Sequence, residues 1–334
     1  MFAARETRFL LKCSDPTGVV GIIRRIMCAA TLLGDHQNRS FIDPAAVARL
    51  AAVPLFARRS MVGSVSGMHT SPHRGASVEF AEYRRYVPGD DIRRLDWRAY
   101  GRTDRYYVKE FEADTNLRLC LVIDTSGSMG FGSIGIDKLE YARRLAGTLA
   151  QLAIGQGDAV GVCCVAEDVF QTIPPRRTPS HLRAIFDSLQ HARPRGKTFL
   201  VDRLHEFAET TPQRALVIIL SDLFVEPDPL REAFDHLRFR KHDLAAFQLL
   251  DPQEIAFDFR RPTRFVDLEG DQTLLTDPSE IADRYQAALV DQLDKLNAIA
   301  LESAVDYHRV QIDEDYEGVL FRFLTGRNRG RGIR

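Results

Sequence analysis

The chain has 334 residues, 45% hydrophobic and 27% charged, enough for one large core or two smaller ones. A formal net charge of −1 provides no global field to attract nucleic acid or an anionic membrane. The cysteines, Cys13, Cys28, Cys120, Cys163 and Cys164, have no C-x-x-C spacing, and three lie in apolar strand-like runs. They read as buried free thiols of a reducing compartment.

Residues 1–40 read as a poorly ordered N-terminal extension. Arg24 and Arg25 break its apolar run Val19–Leu33 into pieces too short to span a bilayer. The expectation is a cytoplasmic protein without membrane insertion. Residues 41–115 read as a unit of their own, a helix followed by a block rich in Arg, acid and aromatics over 67–115. Its helix starts near Asp43-Pro44, with an Asp cap and apolar residues at Val47, Leu50 and Ala51. A strand over Ser77–Val87 follows, then a turn at Pro88–Asp91 capping a short helix through Trp97, and a second strand over Arg105–Glu112.

From Leu117 the pattern alternates. Strands are predicted at 117–123, 159–165, 168–172, 215–221, 243–250, 264–268 and 304–311. Helices are predicted at 137–154, 179–190, 199–209, 228–239 and 278–302. Strands that are apolar throughout and separated by helices predict an α/β domain over 116–325 with a mainly parallel sheet covered on both faces. The glycine- and arginine-rich residues 326–334 read as a flexible basic tail.

Asp124, Ser126 and Ser128 form an Asp-x-Ser-x-Ser triplet directly after the first strand of this domain. Thr198 stands in a Gly-Lys-Thr connection before a helix, and Asp222 ends a later strand. In an open parallel sheet, loops leaving the carboxyl ends of the strands converge where strand order reverses. These three loops therefore bring five oxygen-bearing side chains to one point. Such a set suits Mg²⁺, with Mn²⁺ or Ca²⁺ less favoured, and water or an outside group completing the shell.

Competing chemistries fail on particular residues. A phosphate-binding P-loop needs glycine where His191 stands. An aspartyl-phosphate enzyme commonly has a second carboxylate where Ser126 stands, and a G-x-S-x-G elbow around Ser128 lacks its first glycine. His69 and His73 have the spacing of a helical zinc pair, but Pro72 lies between them. Cys163-Cys164 reads as strand core, and Glu140, Arg143 and Arg144 as a solvated helix face. In the block before the domain, Glu79, Glu82, Asp90, Asp91, Asp96 and Asp104 nearly match the arginines. That balance favours internal ion pairs over a single-stranded nucleic-acid track.

The Asp-x-Ser-x-Ser triplet, the isolated Thr198 and the isolated Asp222 together resemble the metal-ion-dependent adhesion site of the von Willebrand factor A fold. The resemblance implies that Ser126, Ser128 and Thr198 bind metal through hydroxyls, while Asp124 and Asp222 act largely through waters or as acceptors behind them. Neutral hydroxyls quench little of the cation's charge, so the open position attracts a partner's Asp or Glu.

A second resemblance is carried by Gly75-x-Ser77-x-Glu79-Phe80, Tyr83-Arg84, Tyr86-x-Pro88-Gly89-Asp90-Asp91, Arg93-x-x-Asp96-Trp97 and Val108–Phe111. These motifs look like the hallmark of the domain of unknown function fifty-eight family, whose block leads into a von Willebrand A-like domain. The similarity extends over about residues 41–327. It implies no enzymatic activity, only an adaptor or assembly factor acting with a MoxR-type AAA+ ATPase or that ATPase's client. A Mg²⁺-dependent phosphohydrolase using Asp124, or a structural subunit with a vestigial site, are the alternatives.

Overall fold

The computed structural model describes residues 41–57, 79–85, 100–101, 106–112, 117–166, 170–259, 261–270 and 273–329. The N-terminal extension, His69, His73 and the helix predicted through Trp97 lie outside them. The elements begin with α1 (Pro44–Leu50), β1 (Glu79–Arg85), β2 (Tyr107–Glu112), β3 (Arg118–Asp124), α2 (Lys138–Gly155), β4 (Ala159–Val165) and β5 (Phe170–Arg176). Then come α3 (Pro179–His191), α4 (Leu200–Thr210), β6 (Leu216–Ser221), α5 (Pro227–Phe239), β7 (Asp243–Leu250) and α6 (Pro252–Ala256). The last are β8 (Thr263–Val266), β9 (Thr273–Thr276), α7 (Pro278–Glu302), β10 (Asp306–Gln311) and α8 (Tyr316–Arg329).

Six strands form one sheet in the order β10-β7-β6-β3-β4-β5. All neighbours are parallel except the β4–β5 edge pair. This is the mostly parallel, helix-flanked α/β sheet that the von Willebrand A resemblance implied. Side chains alternate across it, as the two-residue period of a strand demands. Leu119, Leu121 and Ile123 of β3 enter one core with α2, α3 and α8, while Cys120 and Val122 enter the other with α4, α5 and α7. Each fully buried Leu or Ile contributes about 1.5–3 kcal/mol, so strands apolar on both faces are held mainly by these two layers. From β3 the chain winds one way to β4 and β5, then returns to the other side for β6. The crevice where strand order reverses therefore lies at the carboxyl ends of β3 and β6.

Several boundaries differ from those expected. The segment 41–57 does not stand apart from the α/β domain: Phe41, Leu50 and Leu55 enter the core shared with α2 and α3. Phe41 meets Phe186 edge-on at 6.0 Å. The block's strands do pair antiparallel with each other as β1 and β2. The expected flexible tail begins too early, because α8 continues through Arg329 and Arg327 is buried. Neither α6, β9 nor α8 was anticipated as an element. Arg143 is not on a solvated face: its guanidinium donates to the carbonyls of Leu189 (2.9 Å) and Ala192, closing the C-terminal end of α3. The thiols Cys120, Cys163 and Cys164 are free and buried as expected, and burial pushes them up to about 12, 12 and 11. Among the described residues no helix is long and apolar enough to cross a membrane.

His242 leads into β7, buried against Phe207, and its Nδ1 accepts the Ala215 N–H at 3.2 Å. Burial, then Arg240, pushes the imidazole down to about 4, so it folds neutral. The unfolded ring takes a proton below about pH 6.5. The stability from this group is complete above that pH and is lost as pH falls toward about 4. Between pH 7.5 and 5.5 the loss should be about 1 kcal/mol after solvent screening. Urea denaturation of the wild type and of His242→Gln at both pH values checks this; the difference should vanish in the variant.

Candidate metal centre

The end of β3 delivers Asp124 into the crevice, buried at the foot of the loop that follows. Its Oδ1 accepts the Ser126 N–H at 2.9 Å, the local bond that Asp favours in a turn. Its Oδ2 accepts the Thr198 hydroxyl at 3.2 Å and the Ser221 hydroxyl at 2.8 Å. Asp124 therefore ties three loops together. Residues 127–130 close into a 3-10 turn, which brings the Ser126 and Ser128 hydroxyls to 3.0 Å.

The strap before α4 is fixed against this loop by two backbone bonds, Gly127 N–H to the Gly196 carbonyl and Arg195 N–H to the Thr125 carbonyl, each 2.9 Å. Gly127 has a steric reason to be glycine, since a Cβ there would lie 1.9 Å from the Leu268 carbonyl oxygen. The segment between β8 and β9 thus closes on the loop after β3, and Glu269 accepts the Thr198 N–H at 3.2 Å.

Asp222, just beyond β6, is turned differently. Its Oδ2 meets the Lys138 ammonium at 2.8 Å, and its Oδ1 accepts the Phe224 N–H at 3.3 Å. Leu223 between them has φ of 54°, a left-handed conformation that costs a non-glycine residue on the order of 1 kcal/mol. It lets consecutive N–H groups reach Ser221 Oγ and Asp222 Oδ1. Lys138 also meets Glu254 Oε1 at 2.5 Å, and neither side chain is exposed. Burial opposes the charge on Lys138, but Asp222 and Glu254 outweigh it and raise its pKa.

Of the five predicted residues, the fold joins Asp124, Ser126 and Thr198 by hydrogen bonds and sets Ser128 against Ser126. The Asp222 carboxylate is committed to Lys138. Sequence reasoning missed Ser221, Lys138, Glu254 and Glu269. Lys138 left a readable signal: it precedes Tyr141, Ala142 and Leu145 at helical spacing, so a lone charge heads an apolar stripe.

The donor chemistry fits a small hard cation. Adjacent ligands of an octahedral Mg²⁺ at about 2.0–2.1 Å stand about 3 Å apart, the separation of the two serine hydroxyls. Burial first, then Asp222, raises the pKa of Asp124 against the hydrogen bonds of Ser126 and Ser221. A cation beside that carboxylate relieves the cost. Among the described residues there is no group of three or more His, Cys, Asp or Glu that could hold a metal ion.

The family described as "Protein of unknown function DUF58" matches residues 82–294. Uncharacterized proteins of Mycobacterium bovis and Mycobacterium tuberculosis are 26% identical over 297 residues, covering 86% of this chain and 92% of theirs. Among solved structures, conserved hypothetical protein BatB from Bacteroides thetaiotaomicron is similar with a TM-score of 0.44 and 15% identity, over 64% of this chain and 100% of that one. The SpRpn10 VWA domain is similar with a TM-score of 0.39 and 11% identity, over 63% of this chain and 95% of that one.

Proposed function

This chain belongs to the DUF58 family, and from that premise we propose that it is a non-enzymatic, divalent-metal-dependent protein-binding adaptor or assembly factor. The observation that carries the reading is the convergence of Ser126, Ser128 and Thr198 hydroxyls around a buried, hydrogen-bonded Asp124 at the sheet's switch point. Ser126, Ser128 and Thr198 would hold the metal, with Asp124 behind them fixing the positions of two of the three. Mg²⁺ is the preferred ion, ahead of Mn²⁺ and Ca²⁺. When bound, it supplies an incompletely neutralised charge and an open position for a carboxylate. The partner is a MoxR-type AAA+ ATPase or its client, meeting this protein in the cytoplasm through an Asp or Glu; nucleic acid is not a ligand.

Both oxygens of Asp124 already accept hydrogen bonds, which counts against its use as a phosphohydrolase nucleophile. Capture of a purified MoxR-type ATPase should need Mg²⁺ and fall at least about tenfold with EDTA, Asp124→Ala or Ser126→Ala. Capture unchanged by all three would sink the metal-dependent mechanism. Phosphatase turnover abolished by Asp124→Asn would replace it with the enzymatic one.

A further inference from the structure

We infer that Lys138 is a built-in counter-cation of the proposed metal centre, holding Asp222 back from the metal and weakening the centre's own grip on divalent cations. This rests on the metal-binding reading above and names the residue that tunes it. Lys138 is the first residue of α2, and its side chain is wholly buried. The ammonium lies between Asp222 Oδ2 at 2.8 Å and Glu254 Oε1 at 2.5 Å, with the Phe131 and Phe224 rings 6.0 and 5.4 Å away.

Each partner is itself anchored. Gln248 Nε2 donates to the Asp222 carbonyl at 2.9 Å. The Asp251 N–H donates to Glu254 Oε2 at 2.6 Å, and the Tyr285 hydroxyl to the Glu254 carbonyl at 2.7 Å. Asp251 in turn accepts the Ser133 N–H (2.7 Å) and hydroxyl (2.6 Å) from the segment joining the metal loop to α2. The cluster therefore cannot swing Lys138 aside without disturbing the metal loop.

A buried ion pair of this kind is a weak source of stability, since well-packed apolar side chains commonly do as well. Its electrostatic effect on the neighbouring centre is not weak. Divalent-cation affinity follows the negative charge a site offers. Lys138 cancels the charge of Asp222, the residue adjoining Ser221, whose hydroxyl donates to Asp124. What remains among the hydroxyls is Asp124, with Glu269 held on the Thr198 N–H. Metal then binds tightly only when a partner carboxylate supplies the withheld charge, so metal and partner are taken up together.

The test titrates Mg²⁺ alone into the full chain by calorimetry, comparing wild type, Lys138→Gln and Lys138→Met. Gln keeps a donor for Asp222 without the charge and guards against misfolding in the Met variant. Both should bind Mg²⁺ at least about tenfold more tightly than wild type. The gain should disappear when Asp222→Asn is added, an interaction that structural damage would not produce. Equal or weaker binding in folded Lys138→Gln overturns the inference while leaving the metal reading intact. A wild type silent at millimolar Mg²⁺ whose Lys138→Gln variant binds supports the inference, because the withheld charge then has to come from the partner. Silence in both overturns the inference and leaves the metal-dependent function to the capture experiment.

Discussion

Arg327→Met is expected to lower the free energy of unfolding by about 3–5 kcal/mol, enough to threaten a fold whose total margin is about 5–15 kcal/mol. Arg327 is the buried cation of α8 and joins three parts of the chain. Its Nη1 donates to Asp306 Oδ2 at 2.9 Å, its Nη2 donates to Asp243 Oδ2, and its Nε donates to the Phe56 carbonyl at 2.8 Å. Asp243 and Asp306 open the adjacent parallel strands β7 and β10, so their carboxylates sit side by side at the amino ends of the sheet. Methionine fills part of the space beside Phe323, over whose ring the guanidinium carbon sits at 5.2 Å, but takes away the charge that bridges the two buried carboxylates. Arg327→Lys should lose about half as much, because one ammonium cannot reproduce the planar fork. Equilibrium urea unfolding measures both, and a loss below about 1 kcal/mol for Met would show the network to be dispensable.

Lys138→Met should cost the metal-free protein a similar amount, about 3–5 kcal/mol, for the same reason at the opposite end of the sheet. Asp222 and Glu254 would remain, both buried, with the ammonium that offsets their charges removed. Burial already pushes Glu254 up to about 8 against the pull of Lys138, so removal of the cation should drive it further toward its neutral form. Replacing the pair together, Lys138→Met with Glu254→Met, should recover part of the loss because one of the two buried polar carboxyls left behind goes with its partner. Thermal and urea unfolding in EDTA keep this effect separate from any metal. A double variant as unstable as Lys138→Met alone would mean that packing, not charge, governs the cluster.

These two clusters explain why parts of the chain were legible in advance and others were not. β3, β4, β6 and β7 are apolar on both faces, and that pattern admits few structures other than buried parallel strands. The helices between them carry clear apolar stripes, so their bounds were readable to within a residue or two. The strand β9, exposed along much of its length, and the five-residue α6 lack such patterns. α8 was misread because its end is arginine- and glycine-rich, although Arg327 is held by partners 21, 84 and 271 residues away. Arg143 is the same kind of case, a helix-surface arginine by spacing that another helix's carbonyls have covered.

The sequence by itself determined the main strands of the sheet, the loops that leave them and the hydroxyl and carboxyl residues those loops carry, because strand burial and turn chemistry are local properties of neighbouring residues. Asp124, Ser126 and Ser128 needed only their own spacing to be found, and Thr198 and Asp222 only their places at loop starts and strand ends. The tertiary structure alone decided what each carboxylate faces. Asp124 turns toward Thr198 and Ser221, whereas Asp222 turns toward Lys138 and Glu254. The physical reason is that the charge environment of a buried group is set by side chains far along the chain, and no periodicity encodes which of them will arrive.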